Sequence, residues 1–219
     1  MDNEFVNTSP RSRRSFSRRG IIMTGAATGV ASALGLTAIA DRAGAASKQD
    51  MKNDAAILNN ALFYEHQAIW AYSFAATKLS DTDVGKAVLA LALRNQADHK
   101  NHRDTLAKVV KSLGGTPVMS KSSYDLSSYI KAGEGNIDSD VNVAKLALAL
   151  EVDAAIAYAR EVGKLKTPAL ISAGASIGTV EASHATAIRA AFKSLGVNID
   201  YVPASFISAD TRKDWVIKV

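Results

Sequence analysis

From Asp50 onward, apolar residues recur three and four positions apart in segments rich in Ala and Leu, the period of an amphipathic helix. No stretch alternates between apolar and polar residues long enough to make a strand. The pattern predicts four helices, over residues 50–78, 82–113, 140–163 and 168–195. Their ends carry signals. Ser80, with Asp83 three residues on, opens the second, and Asp138 or Ser139 opens the third. Thr167-Pro168 puts Pro at the first helical position of the fourth. Gly114-Gly115, Gly163 and Gly196 supply the stops.

The first-to-second and third-to-fourth connections are short, so each pair reads as an antiparallel hairpin. Residues 114–138 are a polar stretch between the pairs. Such a helix runs roughly 40 Å, and about 25 extended residues can reach about 85 Å, so this stretch can cross from one end of a bundle to the other. The expected fold is an all-α four-helix bundle of two antiparallel hairpins joined by a long crossover. Residues 197–219 hold Tyr201, Phe206 and Trp215 and form a tail that packs on the bundle or on a partner chain.

Composition changes the picture mainly at the front. The formal charge is +5, but residues 1–45 carry Arg11, Arg13, Arg14, Arg18, Arg19 and Arg42 against Asp2, Glu4 and Asp41. The rest of the chain is left at about +2, ordinary for a soluble domain, which calls for neither nucleic acid nor a membrane surface. Ser12-Arg13-Arg14-Ser15-Phe16 precedes a weakly apolar run from Ile21 to Ala40, and Ala43-Gly44-Ala45-Ala46 offers a cleavage point near Ala45. This leader resembles a twin-arginine signal, which implies export to a periplasmic or extracellular place. A membrane anchor is the rival reading of the run, but Ala, Gly and Thr make it far less apolar than a Leu-rich span. The expected organisation is a signal peptide over 1–46, a helical bundle over 47–196 and the tail over 197–219, with the mature protein not embedded in a membrane. There is no Cys, so any metal must use oxygen and nitrogen ligands.

The second hairpin restates the first. Glu65 is followed seven residues later by Tyr72, and Glu151 seven later by Tyr158. His102 stands twelve residues before Gly114, after Lys111-Ser112-Leu113; His184 stands twelve before Gly196, after Lys193-Ser194-Leu195. This frame sets His99-x-x-His102 opposite Glu181-x-x-His184. Leu58, Leu62, Ile69 and Tyr72 flank Glu65, and Leu148, Ala155 and Tyr158 flank Glu151, so both carboxylates should point inward. Two inward carboxylates roughly 6 Å apart repel by about 3 kcal/mol at an effective dielectric near 20. Arg94 and Lys145 do not repeat between the hairpins, so a bound cation is the economical compensation. An offset frame would use Gln96-x-x-His99 instead, at the cost of the match to Gly114.

One Glu from each of two helices, plus Glu-x-x-His from each of the others, is the di-iron or di-manganese pattern of ferritin-like proteins. Over about residues 50–196 this chain resembles that superfamily, with Glu65, His102, Glu151, Glu181 and His184 at matching positions. The resemblance implies a site in which Glu65, His102, Glu151 and His184 are terminal ligands and Glu181 bridges. His99 departs from it, standing where the family places a second bridging carboxylate. With three Glu and three His, one ion or an asymmetric pair is open as well as two coupled ions. Iron or manganese suits such ligands, with zinc a further option. With iron, the resemblance implies oxygen or peroxide chemistry of ferroxidase, peroxidase or catalase type. A metal-free protein similar to the desiccation-related, stress-type members is the alternative, and a homo-oligomer, first of all a dimer, is the expected partner. Storage in a hollow cage would need a large symmetric assembly. Asp98 could support a ligand from outside the centre, His66 is expected at a surface or interface, and Tyr72 and Tyr158 are expected first to pack with satisfied hydroxyls, with hydrogen bonds to the carboxylates or a redox role as the alternative.

Overall fold

A computed structural model describes residues 47–218; the leader expected over 1–46 lies outside them. The long helices are α1 (Lys48–Ala76), α2 (Asp83–Ser112), α4 (Asp140–Val162) and α5 (Pro168–Ser194). Two short ones, α3 (Ser127–Lys131) and α6 (Arg212–Trp215), lie in the crossover and the tail. Among the described residues there is no strand, and no helix is long and apolar enough to cross a membrane. The pairs α1–α2 and α4–α5 form the two closely packed hairpins, and α1 packs on α4 where they meet.

The end signals hold with one change. Ser47 caps α1, accepting from Asp50 N at 3.1 Å, and Ser139 caps α4, accepting from Asn142 N at 3.2 Å. The cap of α2 is Thr82, which accepts from Gly85 N at 3.1 Å, rather than Ser80. The Ser80 hydroxyl is engaged elsewhere: it donates to Asp140 at the start of α4, 2.6 Å away. Gly114 and Gly196 end α2 and α5 with φ of 79° and 87°, the left-handed stop that favours glycine. Pro168 opens α5, but Thr167 makes no side-chain cap. Instead, buried Asp54 of α1 reaches across and accepts from Lys166 N at 2.8 Å and Thr167 N at 3.0 Å.

The crossover is not wholly irregular, since α3 makes one turn within it. Its return to the bundle depends on Gly135, whose φ is 122°. A Cβ there would meet Leu146 N of α4 at 2.3 Å, so only glycine lets the chain lie this close.

The core has two main parts. Leu58, Leu62, Leu106, Val110, Leu170 and Ile177 fill one end of the bundle. Leu148, Val152, Ile188 and Phe192 meet Trp215 and Val216 of the tail at the other. The tail therefore packs on its own bundle, and two arginines fasten it. Buried Arg189 donates to Asp200 O at 2.8 Å and to Trp215 O, and Arg212 binds Glu134 of the crossover and Asp153 of α4.

Candidate metal centre

Each long helix contributes from its inward face: Glu65 from α1, His99 and His102 from α2, Glu151 from α4, and Glu181 and His184 from α5. The carboxylates follow apolar neighbours at helical spacing. Leu62 and Leu58, both buried, lie one and two turns before Glu65, and Leu148 lies one turn before Glu151. Glu65, Glu151 and Glu181 have 2%, 2% and 0% of their surface exposed.

The six side chains meet at mid-bundle. His99 Nδ1 lies 2.8 Å from Glu65 Oε2, and its Nε2 lies 3.2 Å from Glu151 Oε1, so one ring spans both terminal carboxylates. His184 Nδ1 is 3.1 Å from Glu181 and 3.3 Å from Glu151. His102 Nδ1 is 3.0 Å from Glu181 Oε1 and 3.7 Å from Glu65. Two overlapping sets of ligand atoms result, each drawn together within 4.8 Å: Glu65, His99, His102 and Glu181, and His99, Glu151, Glu181 and His184. His99 and Glu181 belong to both. They occupy the two shared positions that the internal repeat pairs.

A ring of further hydrogen bonds holds these groups. Tyr158 donates to Glu65, and Tyr72 donates to Glu151 while accepting from Asn95 at 3.1 Å. Asp98 receives His184 Nε2 at 3.2 Å and Arg94 at 2.7 Å, the carboxylate support that orients metal-ligating imidazoles. Gln96 lies outside the centre: its amide donates to Ile69 O and Ser73 on α1 and accepts from Lys100. The offset frame built on Gln96 therefore fails, because that side chain serves helix packing. His66 also stands apart, 3.2 Å from Val118 O of the crossover.

Imidazoles and carboxylates perturb each other strongly in this centre. Burial would raise the carboxyl of Glu65, but the nearby His102 and His99 imidazoles outweigh it and bring its pKa down to about 2. Glu151 is held well below the usual range against the same penalty by the charge of His99 and the bond from His184. Burial would lower the imidazoles. The Glu151 and Glu181 charges instead hold His99 well up, the nearness of the Glu181 and Glu65 carboxylates raises His102 to about 9, and bonds to Glu151 and Glu181 raise His184 to about 10. Imidazoles held up in this way can balance the carboxylates as cations, beside the metal ion that the same ligand atoms could hold.

What distinguishes the centre from a closed ion-pair network is what stays unbonded. His102 Nδ1 and Glu181 Oε1 are buried and lie at hydrogen-bonding distance, yet they are not aligned, and neither has a hydrogen-bond partner. A buried, unpaired polar atom is costly. Both atoms are donors of the kind iron, manganese and zinc take, and both belong to one four-ligand set. The residues fit a metal.

The family model described as "Ferritin-like domain" matches residues 53–194. The chain belongs to this family. The crystal structure of a conserved hypothetical protein from Mycobacterium tuberculosis is similar to this ferritin-like chain, with 26% identity and a TM-score of 0.53. The likeness covers 64% of this chain and 96% of that one. No match was found among curated proteins.

One residue beside the ferritin-like centre and two away from it had structural roles the sequence did not reveal. Asn95 lies one turn before His99 on the same inward face, so a polar residue in an apolar stripe was its available signal. Asp54 gave the same signal on α1. Arg212 gave none, since the tail has no period to mark an inward position.

Proposed function

We propose that this is an exported ferritin-like metal protein whose centre holds iron or manganese, as one ion or an asymmetric pair, for redox chemistry with oxygen or peroxide. The observation that carries the reading is the unbonded pair, His102 Nδ1 and Glu181 Oε1, inside a set of four converging ligand atoms. Glu65 and His102 would serve one ion and Glu151 and His184 the other, with Glu181 between them. His99 would replace a bridging carboxylate with a neutral nitrogen ligand. Bound iron or manganese supplies reversible one-electron exchange. The protein's own part is to fix the ligands: Tyr158 and Tyr72 orient the terminal carboxylates, and Asp98 orients His184. The likeness of residues 12–46 to a twin-arginine signal supports export after folding, a route on which metal could be loaded first.

A second reading, a metal-free structural protein of stress type, draws on the imidazole–carboxylate bonds that already balance charge. Metal quantification on the mature protein from the exported fraction decides between them. Stoichiometric iron or manganese, lost in Glu65→Ala with Glu151→Ala, supports the first. Protein that carries no metal and gains no stability when metal is added supports the second.

A further inference from the structure

Between α1 and α4, beneath the crossover, lies a cavity of about 320 Å³ that is open to solvent on one side. Its sides are Ala71, Phe74, Leu146 and Leu150, and its roof comes from Leu126 and Ile137 of the crossover. Its inner end is the centre itself, where Tyr72, His99 and Glu151 line it. Exposed Tyr64 and Arg160 stand at its outer end.

The chemistry of the lining selects the occupant. Tyr72 already donates to Glu151 and accepts from Asn95, and both nitrogens of His99 face carboxylates. The polar atoms at the inner end are thus satisfied by one another and ask nothing of a guest. The charges on the lining are paired too, Arg160 with Glu161 at 3.2 Å and Asp153 with Arg212. No ion is recruited by such walls. A dry apolar cavity of about 150 Å³ accepts benzene, and small-molecule pockets begin at about 300 Å³. The volume here therefore suits a guest of one or two rings.

We propose that this cavity binds a small uncharged apolar organic molecule, one end of which lies against His99 and Glu151. As a binding site it stands on the cavity alone. As the substrate site of the centre it rests on the metal reading above.

Indole is the probe, titrated calorimetrically into the mature protein in metal-free and manganese-loaded forms, with benzoate as the charged control. The expected result is saturable one-to-one binding of indole to both forms, little binding of benzoate, and a changed manganese electron paramagnetic resonance spectrum. Ala71→Phe and Ala154→Phe each fill the cavity and should weaken indole at least tenfold. Methyl NMR of the unsubstituted protein needs no variant, and shifts should centre on Ala68, Ala71 and Ala147, which line the cavity. Absence of saturable binding, binding in both filled variants as tight as in the parent, or shifts centred elsewhere would overturn the proposal. If the protein takes up no metal, the metal reading fails while indole binding to the metal-free form still reports on the cavity. If metal binds and indole does not, the cavity proposal alone falls.

Discussion

Tyr158 of α4 gives its hydroxyl hydrogen to Glu65 of α1, across the junction between the two hairpins. Tyr72 of α1 does the same for Glu151 of α4. Each hairpin thus supplies a carboxylate to the centre and a phenol to the carboxylate of the other, so the internal repeat is a swap of support. A hydrogen bond to a buried charge contributes about 1.5–3 kcal/mol. Tyr158→Phe should lower the stability of the metal-free protein by about that much, read as a lower urea midpoint with unchanged slope. Metal stoichiometry should persist, since the phenol is no ligand. An unchanged midpoint would mean that Glu65 does not depend on this bond.

Asp54 offers a test away from the centre. Its carboxylate is fully buried and receives two backbone N–H groups ahead of α5, where Thr167 provides no cap. Asp54→Ala leaves both donors short of an acceptor and should cost about 2–4 kcal/mol. Asp54→Asn keeps one acceptor oxygen and should cost roughly half as much. Thermal melting of the two variants checks the order, and equal losses would show that space, rather than hydrogen bonding, matters at this position.

The same two regions show what a sequence makes legible. Glu65, Glu151, Glu181, His102 and His184 stand out because each is polar inside an apolar stripe and has a partner at the same place in the other hairpin. Periodicity placed the four long helices because burying one face is what makes each of them stable. Asp54 is polar on an inward face too, but it has no twin, so nothing separated it from an ordinary surface residue. The capping role of Thr82 was hidden because Ser80 is equally apt, and the choice depends on Asp140 of another helix. The cavity was invisible, since it arises from how α1, α4 and the crossover meet. How the charges balance was hidden for the same reason: whether imidazoles face carboxylates or water is a property of the packed bundle.

Acid should release the tail. The bond from Arg212 holds the Glu134 carboxyl below its ordinary value of 4.5, against a smaller opposing effect of burial. A carboxylate with a lowered folded-state pKa stabilises the fold above the unfolded value, and that contribution is lost as pH falls through the folded one. The tail contact is therefore intact near neutrality and weakens below about pH 4.5. Trp215 is the reporter, followed by fluorescence in a Trp70→Phe background so that it is the sole tryptophan. Its emission should shift to the red as pH falls below that range. Glu134→Gln should show part of the shift at pH 7 and a flatter profile below; a profile matching the parent would place the acid-sensitive group elsewhere.

His99 carries the sharpest test of the centre. Its ring lies between Glu65 and Glu151 at a position where ferritin-like relatives of the di-metal pattern place a bridging carboxylate. His99→Glu would set four carboxylates against two imidazoles. Without metal, the buried anions lose a cationic partner and gain a like charge, a change of the kind that costs about 3–5 kcal/mol. With manganese present, the added carboxylate offers the second bridge that two coupled ions need. The variant should therefore melt well below the parent when metal-free, recover most of the loss on adding manganese, and hold a second ion more tightly. Melting curves with and without manganese, together with metal counts after desalting, test all three. If the metal-free variant is as stable as its parent and gains nothing from manganese, the imidazole neither neutralises the carboxylates nor stands between two ion positions.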